Sequence, residues 1–414
     1  VRIDVRKVHR LTSAAVATGE AGFSTIHEPS IAVRKDQFLL TGNWYAARST
    51  DHCESWNPLD PYGYMAPGPG TKFCCDQTVY YDARHDLMVW LLQYRKSTTE
   101  NTLRVAIRRG ASLALDDWRW WDFRPTTVDA GWTREWFDYN HVAATNDHLF
   151  IASNVLGLAG KTVFRSVVLR IPFASILSAL DSGAALKFDH LVSSDASTLR
   201  CAVGCTDVMH IAGHVGNDVL RLYSWPDAAA DATEIEVPVM AWNDSAYDAP
   251  DPGGSKWLTR CTDRITAGWF ADGTVGWMWT SGSLGTERSF PFVRVVTVAP
   301  ETGAVVSESD IWAPDFAYAY PSACPNSNGV IGVTLFRGGG VKYPGHVVGA
   351  WDRDSGQWIL STVVEGTHGP DDHKWGDYLT CQSIGETWTA CGYTLQGGPT
   401  LAALVVDLVE FGVQ

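Results

Sequence analysis

The run TVYYDARHDLMVW at residues 78–90 decides how this chain is read. Apolar and polar residues alternate from Thr78, break at a polar turn around Arg84-His85-Asp86, and resume through Leu87–Trp90. A period of two puts one face of a strand on a core and the other toward solvent, and a polar break between two such runs marks a hairpin. The same signature recurs in HLFIAS at 148–153, TVGWMWT at 274–280 and VIGVTLF at 330–336. Ala271-Asp272-Gly273, Glu301-Thr302-Gly303 and Ser327-Asn328-Gly329 supply turns. Helical periodicity is confined to FASILSAL at 173–180, directly after Pro172.

Aligned on these hairpins, the chain resolves into units. Each opens on a polar or acidic residue, followed by an apolar strand, a tight turn and a longer apolar strand. The openings fall near Pro29-Ser30, Asp76-Gln77, Tyr139-Asn140-His141, Cys201-Ala202, Asp263-Arg264, Pro321-Ser322 and Asp377-Tyr378. They lie about 58 residues apart on average, against the roughly 40–50 of a propeller blade, which leaves room for surface loops. The expectation is an all-β fold, a β-propeller of seven blades over residues 1–414 as one domain, with six or eight blades as alternatives. VRIDVRKVHR at 1–10 also alternates. It is expected to complete the last blade beside LAALVVDL at 401–408, which removes the free edges of an open ring. The 19 Trp and 38 Gly suit this plan, with indoles filling the wedges between splayed sheets and glycines serving turns.

The net charge of −14 argues against binding nucleic acid or an anionic membrane through bulk electrostatics, while leaving a local basic site open. No run of about 18 apolar residues is present to span a membrane as a helix. The sequence starts at Val1 without a charged and apolar leader, as a trimmed or mature chain would. Nine cysteines are too irregularly spaced for a zinc framework. Cys381 with Cys391 is the leading disulfide candidate, weighed equally against two buried thiols; Cys201 with Cys205 is another, and Cys74-Cys75 is a vicinal pair. No P-loop, dinucleotide-binding glycine pattern, H-E-x-x-H or G-x-S-x-G motif occurs. His210 and His214, four apart on a strand, stand roughly 13 Å from each other, too far to share a metal.

The octad STDHCESW at 49–56 resembles a degenerate Asp-box, with Cys53 where that motif has Gly, and DSGQW at 354–358 is a shortened version. KWGDY at 374–378 resembles a segment of secreted bacterial sialidase-like propellers, and Tyr320-Pro321-Ser322 with Tyr343-Pro344-Gly345-His346 fits the same pattern. The resemblance implies the propeller fold and a secreted or periplasmic location, but it carries no activity. The F-R-I-P motif expected near the N-terminus of true sialidases has its nearest counterpart, Leu169-Arg170-Ile171-Pro172, in mid-chain, and their three-arginine clamp and Tyr–Glu pair find no match.

In a propeller the inner-strand openings ring the mouth of the central channel. That predicts a cluster of His27, Glu28, Asp76, Gln77, Asp138, Tyr139, His141, Arg200, Asp263, Arg264 and Asp377, bordered by Lys374 and Trp375. Carboxylates crowded in a low-dielectric mouth have their pKa values pushed apart, the condition under which acid and base roles separate. Two chemistries fit. A glycoside hydrolase would use Asp76 and Asp138 as its carboxylate pair. A polysaccharide lyase would neutralise a uronate with Arg200 or Arg264, abstract a proton with His141 or His27, and protonate the leaving oxygen from Tyr139. His27, Glu28, Gln77, Asp263, Trp375 and Asp377 are then expected to bind substrate. Converging carboxylates, or the loop from His368 to His373, offer oxygen and imidazole ligands for a cation such as Ca2+. The alternative is a propeller without catalysis that binds a glycan or a protein, or serves as a scaffold.

Overall fold

A computed structural model describes residues 1–65, 68, 71–96, 100–110, 112–114, 117–157 and 163–414. Seven four-stranded antiparallel sheets form a propeller. Their inner strands are Ser30–Arg34, Lys72–Asp82, Glu135–Ala144, Ser197–Cys201, Ile265–Ala271, Ala317–Pro325 and Thr380–Ile384, heading blades 1 to 7 in chain order. Within blades 1 to 6 each strand pairs with the next in sequence, as tight hairpins dictate. Blade 7 differs. Its outer strand is Ile3–Leu11, which pairs antiparallel with Leu404–Val413 from Ile3 opposite Val413 to Leu11 opposite Val406. The N-terminus thus closes the ring. The helix at Phe173–Ser182 buries Phe173, Ile176 and Ala179 and stops at Gly183, whose φ of 73° is a left-handed cap. Among the described residues no helix is long and apolar enough to cross a membrane.

The core lies between blades. Trp90, Trp118, Trp257, Trp277, Trp279, Trp375 and Trp388 are fully enclosed there. In blade 5, Gly268 pairs with Trp277 and Trp269 with Gly276, so each indole lies across a glycine on the neighbouring strand. A Cβ on Gly268 would stand 2.3 Å from the Trp277 ring, and one on Gly276 2.1 Å from Trp269, so both positions require glycine. The two Asp-box-like segments occupy equivalent corners, between the third and fourth strands of blades 1 and 6. In the first, Asp51 accepts from the Ser49 and Ser55 hydroxyls at 2.8 and 2.5 Å and from the Ser55 amide at 3.0 Å. At the second, the acceptor is not Asp354 but Asp352, two positions ahead of the segment, which takes the Ser355 hydroxyl at 2.7 Å.

Cysteine pairing departs from expectation. Cys381 and Cys391 are both free. The register puts Cys391 opposite Thr380 and Cys381 opposite Ala390, so the two thiols lie one position out of step and face opposite sides of the sheet. Cys201 and Cys205 are free as well. The disulfide is the vicinal one, Cys74–Cys75. His210 and His214 also part company: His210 meets the Ser224 hydroxyl at 3.0 Å, and His214 packs between Trp242 and Trp279.

Candidate functional site: a carboxylate cluster at the propeller mouth

A repeated backbone irregularity positions the mouth. Near the start of the inner strand, blades 2 to 6 each carry a register shift. In blade 2, Cys74, Cys75 and Asp76 together face Gln93; in blade 3, Tyr139 and Asn140 face Ser153. Such bulges bend a strand and re-aim its side chains. In blades 3, 4 and 6 the bulge holds a residue with positive φ: Tyr139 at 55°, Thr198 at 44° and Tyr320 at 54°. Glu28, just ahead of the first inner strand, has φ 48°. Each such backbone costs about 1–3 kcal/mol for a residue with a side chain, so the surrounding packing must hold it.

Four carboxyls from blades 1, 2, 3 and 7 interact at this mouth: Glu28, Asp76, Asp138 and Asp377. Glu28 is buried; burial first, then the charges of Asp76 and Asp377, push its pKa well above the ordinary carboxyl range. Its Oε2 accepts from the Asn43 amide at 2.8 Å. Glu28 and Asp76 also interact side chain to side chain, which raises Glu28 and lowers Asp76 and so favours the proton on Glu28. Asp76 is nevertheless pushed up to about 7, chiefly by burial and by Asp138. Burial also raises Asp138, with Arg264 opposing. Asp377 is held by two arginines. Arg260 donates through Nε at 3.1 Å and Nη2 at 2.8 Å, and Arg264 through Nη1 at 3.0 Å. The Arg264 guanidinium also lies 4.4 Å over the Tyr139 ring. Tyr139 meets Tyr378 edge-on at 5.8 Å, forming a floor beneath the carboxyls.

The other expected members lie elsewhere. His27 is enclosed by Phe23, Tyr45 and Tyr393, with Nε2 at 3.2 Å from the Tyr45 hydroxyl and Nδ1 at 3.2 Å from the Ser24 carbonyl. Burial drops its pKa to about 3, so it is a neutral core residue. Gln77 spends its amide on the Gly42 and Tyr45 carbonyls and accepts from the Trp90 indole at 3.1 Å. Trp375 stacks on Tyr393 at 4.3 Å in the core. Half-buried Asp263 contributes to the field at Tyr247, and Lys374 is exposed beside Asp372. Arg200 lies below the mouth, in the axial channel.

His141 belongs to a different pattern. Its Nε2 accepts the Cys201 amide of the next blade at 2.9 Å. Ser30 accepts the Val79 amide at 3.0 Å and Ser322 the Cys381 amide at 3.2 Å in the same manner. All three side chains fasten one inner strand to the next. With Nε2 occupied and burial holding the imidazole pKa well below its usual value, the geometry of His141 gives no support to the proton abstraction expected of it.

Sequence reasoning missed Arg260 and Asn43, whose side chains hold Asp377 and Glu28. Arg260 comes from the loop before the fifth inner strand, where the strand pattern is silent. Trp44, next to Asn43 in sequence, is 37% exposed. Among the described residues, no group of three or more His, Cys, Asp or Glu side chains is placed to hold a metal ion, so the Ca2+ considered from the sequence has no donor set there.

No protein-family model matches the chain, and no curated protein sequence does. Among solved structures the chain is similar to Trypanosoma rangeli sialidase in complex with the inhibitor DANA, at 8% identity and a TM-score of 0.45, covering 98% of this chain and 60% of that one. It is similar to the Dos1 propeller at 11% identity and a TM-score of 0.45, covering 99% and 95%. It is also similar to the GH93 alpha-L-arabinofuranosidase of Fusarium graminearum in complex with arabinobiose, at 10% identity and a TM-score of 0.41, covering 86% and 98%. The chain spans 58% of another Trypanosoma rangeli sialidase chain and 50% of a post-proline cleaving enzyme from Rickettsia typhi. At these values the likenesses say nothing about the chemistry of the mouth.

Proposed function

We propose that the mouth is the active site of a carbohydrate-active enzyme of the glycoside hydrolase type, with residues 1–414 acting as one propeller domain. The observation that carries this reading is the convergence of Glu28, Asp76 and Asp138 from three blades into one interacting cluster. A carboxyl that titrates near neutrality can give a proton to a leaving oxygen and take one from water. Asp76 is assigned that part, with Glu28 as its proton-bearing partner. Asp138, the second half-buried carboxyl, is assigned the stabilisation of positive charge developing on the sugar. Asp377 with Arg260 and Arg264 forms the wall that fixes the charge balance, and Trp44 offers a face on which a sugar ring can stack.

The lyase reading is the weaker one, because the imidazole it needs as base is engaged with a backbone amide. The Cys74–Cys75 disulfide supports a secreted or periplasmic location, where disulfides persist. The test is a panel of neutral and acidic glycans, read by reducing-sugar release and by the ultraviolet absorbance of unsaturated uronates. Sugar release that falls on the order of 10²–10⁴-fold in Asp76→Asn supports the assignment. Unsaturated product would assign a lyase instead, and full turnover in Asp76→Asn would remove Asp76 from the chemistry.

A further inference from the structure

Beneath the Tyr139–Tyr378 floor the axial channel widens into a cavity of about 410 Å³, within the range of small-molecule sites. It extends to Lys35 and Gly385, just past the far ends of two inner strands, so it opens toward the face opposite the mouth. None of the four mouth carboxyls lines it. Among the described residues that do, no side chain is acidic, while Arg200 and Lys35 are cationic. This is a positive interior in a chain of net charge −14.

Arg200 has no hydrogen-bond or ion-pair partner among the described residues, and its Nε is buried without one. Its electrostatic neighbours are Tyr139, Cys201 and Tyr378, none of them a carboxylate. Arg200 is half-buried with its Nε enclosed, and a guanidinium so placed without a counter-charge is costly; a bound anion lowers that cost. Two further donors line the same cavity without partners. The Tyr139 hydroxyl is buried and unpaired. In neutral His141, whose Nε2 accepts the Cys201 amide, the ring hydrogen sits on Nδ1, and that atom too is buried and unpaired. One cation and two neutral donors, brought to the same cavity by the inner strands of the adjoining blades 3 and 4, suit a monoanion.

We propose that the channel is a binding site for a small organic carboxylate, held by Arg200 with the Tyr139 hydroxyl and the His141 Nδ1–H, and reached from the face opposite the mouth. A carboxylate suits the planar fork of the guanidinium better than a spherical halide does. The cavity leaves room for a body the size of one sugar ring or one benzene ring beside the charged group.

The test uses the full chain with acetate, glucuronate, 4-bromobenzoate, glucose, chloride and sulfate, followed by thermal shift and calorimetry. The carboxylates are expected to raise Tm by on the order of a few degrees at saturating concentration, while glucose does not. Arg200→Met is expected to weaken carboxylate binding at least tenfold, and Arg200→Lys to retain part of it. The anomalous signal of bromine in 4-bromobenzoate crystals is expected beside Arg200, a readout that needs no variant. Carboxylates without effect, a response to chloride or sulfate alone, unchanged affinity in Arg200→Met, or bromine elsewhere would each overturn the proposal. Asp76→Asn is expected to leave carboxylate binding intact, which separates this site from the fate of the hydrolase reading.

Discussion

Glu28 and Asp76, at the heads of blades 1 and 2, interact side chain to side chain, and the interaction favours a proton on Glu28. The two residues lie 48 positions apart in the chain. Their contact follows from ring geometry, which brings neighbouring inner strands side by side at the axis. That proton makes the mouth sensitive to pH near neutrality.

The contribution of these carboxyls to stability should therefore depend on pH with a definite sign. Glu28 and Asp76 both have folded pKa values raised above those of an unfolded chain, about 4 for each. A raised carboxyl contributes stability that is present below about pH 4 and lost as pH rises through its folded value. The buried neutral histidines His27, His141, His210, His214 and His346 act with the opposite sign over the same range, because each must be charged in the unfolded chain as pH falls, but they act equally in wild type and variant. Wild type is therefore expected to gain Tm relative to Glu28→Gln as pH falls from 8 to 6, with Glu28→Gln the more stable at pH 8. A difference between the two that stays constant over that interval would contradict the raised Glu28 carboxyl.

The rate profile should carry the same group. With Asp76 at about 7, activity on a responsive glycan is expected to show an ionisation near neutrality that disappears in Asp76→Asn. A profile with no ionisation between pH 6 and 8 would assign the proton transfer to another residue.

Asp377 tests the charge balance of the wall. Asp377→Asn leaves Arg260 and Arg264 without their common partner, and should cost about 3–5 kcal/mol in urea unfolding. Arg260→Gln removes a more exposed partner, so its cost is expected near 1 kcal/mol. Equal effects of the two variants would mean that Arg264 alone does not sustain the pair.

His141→Ala and Ser322→Ala each leave an amide of the next inner strand unpaired, at Cys201 and Cys381. Each is expected to lower stability by about 1–3 kcal/mol. An unaltered unfolding midpoint in both would dissolve the blade-fastening role.

The vicinal disulfide sits inside the bulge that aims Asp76. Serine at both Cys74 and Cys75 should loosen that bulge, with a loss on the order of 10²-fold in turnover for a displacement of about 1 Å, and little change in Tm. Full turnover in the double variant would show that neighbouring packing holds Asp76 unaided.

The site was legible only where a residue stood at the head of a strand. Glu28, Asp76, Asp138, Tyr139, Arg264 and Asp377 meet that condition and lie at the mouth. Gln77 meets it as well, yet its side chain turns into the core beyond the bulge of its strand. His27 and Trp375 lie in the loops ahead of their strands, where alternation does not say which way a side chain points. Arg260 comes from a loop with no periodic pattern, and nothing in its neighbours distinguishes it from other surface arginines. The Cys381–Cys391 pairing failed because one position of register separates facing residues from opposed ones.

The sequence by itself determined the strands, the turns, the seven repeats and the closure of the last blade by the first strand. Those features arise from side-chain alternation and turn chemistry within a few residues of each other. Which polar heads interact, which are fastened to the next blade, and which cation is left alone in the channel were decided only by the tertiary structure. These relationships join residues up to hundreds of positions apart, and they depend on bulge geometry and on circular packing that no local pattern encodes.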